Sequence, residues 1–357
     1  MDFDMKSRKQ VIHIADFPGV EAEIKSELDS GIINGAVISA GTADETRFEK
    51  AWGFADTGTR MRTDTVIDMA SVTKALATSS ALAICRDDGL IDFDRPFTDY
   101  LPAYRAPLAK SITVRDLAMH VSGFGAQKYY TAATGREIRR NLLLAPPPGR
   151  HGDFEYSCWN FQLLGMLVEE VSGCSLPDFC HNRIFAQLGM HDTSLGKPLT
   201  EDPARLARTC AAAGPGRISD EMAFRLYRDG FSAGNAGAFS CAADLAAFCK
   251  CMLKGGEYAP GKRLFSAYSF DALTAPRIHA GAVQRSFGWI VADEFKPSGF
   301  SAHTVYHSGW SGQTLFMDLN KRFYAVILTT RTLNEYERAR QGRFKLISEL
   351  GNNIMIY

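Results

Sequence analysis

Ser71-Val72-Thr73-Lys74-Ala75-Leu76-Ala77-Thr78-Ser79-Ser80-Ala81-Leu82-Ala83-Ile84-Cys85-Arg86-Asp87-Asp88-Gly89 is the stretch on which the reading of this chain turns. From Ala75 to Asp88 it holds Ala, Leu, Ile and Cys with few breakers, and Gly89 supplies a stop, which predicts a strong buried helix. Ser71 and Lys74 stand at its start. A spacing of i, i+3 puts both side chains on one helix face, about 5–6 Å apart. A partly buried lysine there can lose its proton and act as a base for the serine hydroxyl. The amino end of the helix adds backbone N–H groups and a positive dipole end beside Ser71.

Ser-x-x-Lys on its own is weak evidence, since about one chance occurrence is expected in a chain of this size. It occurs a second time at Ser194-Leu195-Gly196-Lys197, where Gly196 and Pro198 predict a solvated loop. A third candidate nucleophile is Ser232, in Gly230-Phe231-Ser232-Ala233-Gly234. A nucleophile elbow needs a buried strand before the serine and a helix directly after it. Here Glu221 to Asp229 is charged and helical in pattern, and Asn235-Ala236-Gly237 is another turn, so the required context is missing. In that reading Asp318 would pair with His303 or His307 as a triad.

Outward from the central stretch, Val20 to Ser30 reads as a helix, with Val20, Ile24 and Leu28 recurring every four residues and Gly31 as the stop. Residues 35–41 and 47–54 read as strands around a turn at Thr42 to Glu45. Helices are predicted over 112–120 with Thr113 as N-cap, over 160–173, over 177–188, and over 242–254 with Ser240 as cap. Residues 287–292, 304–307, 314–319 and 323–329 are short apolar β-rich runs, with Asn320-Lys321 as a hairpin turn. A closing helix spans 335–350. An antiparallel sheet with helices against it, its strands drawn from both ends of the chain, is the physical solution for this order.

Composition excludes several function classes. The chain has 357 residues, 46% of them hydrophobic, enough for a large core in two domains or one two-lobed domain. Lys+Arg and Asp+Glu both number 40, so no polyanionic partner such as nucleic acid is indicated. No run of apolar residues is long enough for a transmembrane helix, and residues 11–19 are too short and broken for a secretory core, so a cytoplasmic protein without a membrane partner is expected. Eight cysteines (85, 158, 174, 180, 210, 241, 249 and 251) are scattered without a framework, as reduced thiols are. Cys249-Lys250-Cys251 and Cys180-His181 lack the spacing of a zinc site, so no metal is expected.

Three blocks then fall in the order found in the serine β-lactamase and penicillin-binding-protein superfamily. Ser71-Val72-Thr73-Lys74 resembles its Ser-x-x-Lys, Tyr156-Ser157-Cys158 its Tyr-x-Asn, and His307-Ser308-Gly309 its Lys-Thr-Gly in the His-x-Gly form of esterase-like members. Ile67-Asp68-Met69-Ala70, Thr113 to Gly123, Phe161-Gln162-Leu163-Leu164-Gly165 and Ala243-Asp244-Leu245 are similar to segments of the class C β-lactamase and family VIII esterase branch. The resemblance spans roughly residues 20–333 and implies an α/β (α+β) two-lobed fold. Its α/β lobe would hold residues 1–80 and 230–357, its helical lobe residues 81–229, and the site would lie at their junction. It implies acyl transfer through a covalent acyl-enzyme on Ser71, with Lys74 and Tyr156 sharing the base and acid work. The backbone N–H groups of Ser71 and Trp310 would form the oxyanion hole. His307, Ser308, Gly309, Cys158 and Gln127 would contact a small ester or amide, with no metal or organic cofactor. Trp289 and Trp310 are candidate walls of an acyl pocket, although packing is the default for an aromatic. His120 reads as a hydrogen-bonded structural histidine.

Two departures shape the expected activity. Cys158 stands where the family usually has Asn, and a thiol is a weak donor and a weak acceptor. This argues against efficient β-lactam or peptide hydrolysis and reads Cys158 as a small space-filler. His307 replaces a permanent cation with a group of reference pKa about 6.5. Neutral esters then become better candidates than penicillins, and lowering the pH from about 8 to about 6 should favour carboxylate-bearing substrates. Transfer of the acyl group to a metabolite, or a non-catalytic sensor or assembly role, remain alternatives at this level, as does monomer against homo-oligomer.

Overall fold

The computed structural model describes residues 17–107, 111–125, 134–210, 213–280, 283–292, 297, 299–331 and 336–354. Its strands are β1 (Ile33–Thr42), β2 (Thr46–Asp56), β3 (Thr59–Arg60), β4 (Ile67–Asp68), β5 (Ser194–Leu195), β6 (Ala238–Ser240), β7 (Glu257–Ala259), β8 (Lys262–Arg263), β9 (Ile278–Ala280), β10 (Val283–Arg285), β11 (Ile290–Ala292), β12 (Thr304–Ser308), β13 (Thr314–Asp318) and β14 (Phe323–Arg331). Nine of them form one antiparallel sheet in the order β3-β2-β1-β14-β13-β12-β11-β10-β9. The first strand among the described residues thus pairs with the last, Ile38 opposite Ile327.

The centre of this sheet is buried on both faces, which is why β1 and β14 read as nearly unbroken apolar runs. Successive side chains of a strand point to opposite faces. Ala36, Ile38, Ala40, Ala325 and Ile327 accordingly join Val20 and Ile24 of the helix Pro18–Asp29 and Leu346, Ile347 and Leu350 of the helix Tyr336–Ile354. Val37, Val326 and Leu328 join Leu245, Phe248 and Met252 of the helix Ala242–Leu253 on the other side. That second cluster runs on without a break through Leu76, Leu82, Leu117, Trp159, Leu164 and Phe185 of the helical segments. The fold is therefore the mixed α/β arrangement expected, an antiparallel sheet flanked by helices.

Several local expectations hold in detail. Thr113 caps the helix Val114–Ala118 through a full capping box with Asp116, each accepting from the other's backbone N–H. The turn at residues 319–322 joins β13 to β14.

Others are corrected. The helix after Ser71 is not α-helical at its start: Lys74–Ser79 is a widened π turn, and regular α-helix covers only Ser80–Asp87. Such widening concentrates at functional sites. The stretch expected as one helix over 177–188 likewise divides into Leu176–Cys180 and a π segment His181–Phe185. Ser240 is not a cap. It ends β6, its hydroxyl meets Thr193 Oγ1 at 2.8 Å, and Cys241 takes the N-cap position without a side-chain bond. β9 and β10 were not anticipated, and only Ile290–Ala292 of the run 287–292 is strand. Gly288 breaks that run at φ +89, where a Cβ would stand 1.9 Å from Ser79 Oγ, so only glycine lets this turn lie against the π segment.

Candidate active site

Ser71 is placed by a short lever. β4 pairs with β6, Asp68 opposite Phe239, and ends three residues before the serine. Ala70 then adopts φ +45, a left-handed conformation that costs a non-glycine residue of order 1–2 kcal/mol. The buried Asp68 holds that turn, its Oδ1 accepting from Ala70 N at 3.1 Å and its Oδ2 from Ser219 N at 2.7 Å. Burial pushes this carboxyl up to about 6, against the hydrogen bonds of Ser219 and Ala70 and with help from Asp220.

Lys74 is fully buried one turn on. Its Nζ donates to Ser71 Oγ at 3.0 Å and to the Asn235 carbonyl at 3.0 Å, and stands 3.5 Å from Cys158 Sγ. The same nitrogen lies 5.0 Å from the centre of the Tyr156 ring and 5.9 Å from that of Phe161. Ser71, Lys74, Tyr156 and Cys158 are thus brought together. Burial alone would depress the Lys74 ammonium, but negative charge on Cys158 and Tyr156 and a hydrogen bond with Tyr156 outweigh it and hold the group above its ordinary value. The ammonium form of Lys74 is thereby favoured in the resting site.

The loop 234–237 and the start of β6 are the other jaw of this clamp, and sequence reasoning missed them. Thr78 Oγ1 donates to the Gly234 carbonyl at 2.6 Å, and Ala238 N donates to Thr73 Oγ1 at 3.0 Å. Gln162 Nε2 holds Asn235 Oδ1, so the helix Cys158–Ser172 fixes the residue whose carbonyl receives Lys74.

On the strand side, Gly309 follows β12 directly and lies against the Ser71 turn. A Cβ there would meet Met69 O at 2.9 Å and Ala70 Cβ at 3.1 Å. His307 and Ser308 precede it, and Trp310, 38% exposed, follows it. The Trp310 carbonyl accepts from Arg331 Nη1 at 2.7 Å, which holds the Trp310–Ser311 peptide.

His307 is buried, with Nδ1 3.2 Å from the Ser308 carbonyl. Burial first, then the charges of Arg285 and Lys74, push its pKa well below the ordinary value. The neutral imidazole is thereby favoured, which weighs against the expected gain in carboxylate binding on lowering the pH. His120 is held neutral by the same causes, with His307 adding to them. Its Nδ1 accepts from Ser157 N at 3.2 Å, and its ring lies 4.6 Å from that of Tyr156, the structural role expected of it.

The remaining candidates separate cleanly. Ser194 is buried in β5 and its hydroxyl donates to the Lys197 carbonyl, so the second Ser-x-x-Lys is not the solvated loop expected. Ser232 follows a helix, Glu221–Arg228, with no strand before it. Asp318 accepts from Ser301 N, Ser301 Oγ and Lys321 N, and His303 meets Asn320, so no triad forms around that serine. Trp289 is fully buried and stacks on Phe248 at 6.3 Å, which makes it core and not a pocket wall. Gln127 lies outside the described residues. Among the described residues no three His, Cys, Asp or Glu side chains are placed to hold a metal ion, and no helix is long and apolar enough to cross a membrane.

Comparison with known proteins agrees with this geometry. The family model Beta-lactamase matches residues 20–348, and the chain belongs to that family of serine hydrolases. A Salmonella schwarzengrund protein described as a putative D-alanyl-D-alanine carboxypeptidase is 28% identical, over 86% of this chain and 81% of its own length. Among solved structures, EstCE1, a hydrolase with promiscuous acyltransferase activity, superimposes with a TM-score of 0.75 at 20% identity, over 93% of this chain and 97% of its own. A family VIII carboxylesterase does so with a TM-score of 0.74 at 20% identity, over 95% and 98%.

Proposed function

We propose that this chain hydrolyses small esters or amides through an acyl-enzyme on Ser71, with esterase-like selectivity in place of efficient β-lactam hydrolysis. The contact of Lys74 Nζ with Ser71 Oγ at 3.0 Å, inside a clamp that leaves the lysine no solvent, carries this reading. The Ser71 oxygen attacks the substrate carbonyl, and its proton is taken up by Lys74 and Tyr156, which share the base and acid work. Two backbone donors, Ser71 N–H and Trp310 N–H, receive the oxyanion, each worth about 10²–10³ in rate when preorganised. The leaving group departs with the proton relayed through Lys74 and Tyr156. Water then adds to the acyl carbon, gives its proton back along the same path, and frees the carboxylic acid and Ser71.

Cys158 supports the esterase-like preference. At the first position of its helix it meets Lys74 as an amide oxygen could, but it offers a substrate amide only a weak donor. The relatives' descriptions span carboxypeptidase, carboxylesterase and acyltransferase, all of which share the first half-reaction.

A fluorophosphonate probe followed by peptide mapping tests the reading. Label on Ser71, absent in Ser71→Ala, together with turnover of 4-nitrophenyl acetate, is the expected result. Label on Ser232, or none, overturns it.

A further inference from the structure

Gln162 stands four residues after Cys158 and three before Gly165 on the helix Cys158–Ser172, a spacing that puts all three on one face. That face lies along the jaw around Lys74. Cys158 Sγ is 3.5 Å from Lys74 Nζ, Gln162 Nε2 donates to Asn235 Oδ1, and a Cβ on Gly234 would meet Gly165 Cα at 3.0 Å. Asn235 joins the two sides. Its side chain takes the bond from Gln162, and its carbonyl accepts from Lys74 Nζ at 3.0 Å.

Packing does not account for this pair of amides. Gln162 and Asn235 are 1% and 0% exposed. One hydrogen bond connects them, while Gln162 Oε1 and Asn235 Nδ2 stay buried without a partner among the described residues. A buried polar atom without a partner costs stability, whereas replacing both members of a pair by apolar groups of the same shape is nearly neutral or stabilising. Two apolar side chains would therefore fill the space at least as well. They would not supply a directional bond to the residue whose carbonyl receives Lys74.

We propose that Gln162 is a positioning residue for the reaction, acting through the Asn235 side chain to hold the carbonyl that orients Lys74 toward Ser71, at a net cost to the stability of the fold. This rests on the acyl-serine reading and adds to it a residue that touches neither Ser71 nor Lys74. A misplacement of about 1 Å in such a site can cost about a hundredfold in rate. Lys74 serves formation and breakdown of the acyl-enzyme alike, so the loss falls on turnover and not on KM.

Gln162→Met, Asn235→Leu and the double variant test this through fluorophosphonate labelling of Ser71, kcat and KM for 4-nitrophenyl acetate, and Tm. Each single variant strands the remaining amide, so it should melt below the wild type and label about tenfold more slowly or worse. The double variant should label no more slowly than the slower single variant, because the link is already gone. It should nevertheless melt within about 2 °C of the wild type or above it. In all three, kcat should fall while KM stays within about threefold. A pair with only a structural role would instead give rates that follow Tm. Rates of that kind, labelling of the double variant within about twofold of wild type, a loss confined to KM, or a double variant that does not fold each overturn the proposal. Wild-type protein whose Ser71 takes no label fails at the acyl-serine reading itself, whereas labelled wild type with any of those results refutes Gln162 alone.

Discussion

Asp68→Asn sets the cost of a buried charge against what that charge holds in place. The carboxylate receives two backbone N–H groups, from Ala70 and Ser219, and so pins the left-handed residue on which Ser71 follows. Burial, partly offset by those bonds, moves its pKa from 3.8 to about 6. At 1.36 kcal/mol per pKa unit this corresponds to about 3 kcal/mol against the ionised form. The folded state holds this proton more tightly than the unfolded chain, so stability declines as pH rises from about 4 to about 6 and is level above that. Asparagine removes the penalty but accepts only one of the two N–H groups, and the stranded buried donor costs about 1–3 kcal/mol. At pH 8 the two contributions nearly cancel, and Tm should move by no more than about 4 °C. At pH 5, where the wild-type carboxyl is mostly neutral, only the loss remains and the variant should be the less stable protein. The turn is loosened at either pH. Losing one charge-assisted bond beside the nucleophile should slow fluorophosphonate labelling of Ser71 at pH 8 by about tenfold or more, the equivalent of about 1.4 kcal/mol. Labelling within twofold of wild type, with Tm unchanged, would refute the claim that Asp68 holds the nucleophile's turn.

Three further outcomes are expected. Glu27 sits against Gly342 with both oxygens buried and without a hydrogen-bond partner among the described residues, and burial, with Glu23 adding to it, pushes its carboxyl up to about 7. Glu27→Gln should therefore stabilise the fold at pH 8, by up to about 3 kcal/mol, and make little difference at pH 4; a lower Tm at pH 8 would sink this. The ratio of kcat/KM for a 4-nitrophenyl hemisuccinate to that for 4-nitrophenyl butyrate should stay flat between pH 8 and 6, because His307 and His120 remain neutral throughout. A ratio that climbs through this range would show that one of them titrates. Gly288→Ala brings a Cβ to within 2.9 Å of Ser79 Cβ at φ +89, and should lower stability by about 2–4 kcal/mol and cut Ser71 labelling with it. A Tm within a degree of wild type would show that the turn yields without consequence.

The pair Ser71 and Lys74 was legible because its proximity is local: three residues on a helix start bring the two side chains together whatever surrounds them. The central strands were legible for a similar reason. Residues buried on both faces leave an apolar run, and β1 and β14 show it without interruption. What escaped was set by distant chain. Asn235 holds Lys74 through its carbonyl, a group every residue possesses, so nothing in its identity marks it. Arg285 lies in a three-residue strand too short to show a period, and its effect on His307 exists only once β10, β11 and β12 lie side by side. Ser240 looked like a helix cap because it precedes one, but Thr193 claims its hydroxyl from across the three-stranded sheet.

The pairing of β1 with β14 fixes an order of events as well as a shape. Gly35 and Thr330 meet in the finished sheet although 295 residues separate them in sequence. Contacts of such span make folding slow, because the intervening chain must be gathered before the pairing rewards it. During synthesis, at about 5–20 residues per second, the segment bearing Ser71 emerges long before the strand that completes its sheet. Until that strand arrives, β1 presents an open edge and an apolar face, the combination that other chains are prone to join. The late-made β14 is therefore the strand that closes this edge of the sheet to neighbouring chains.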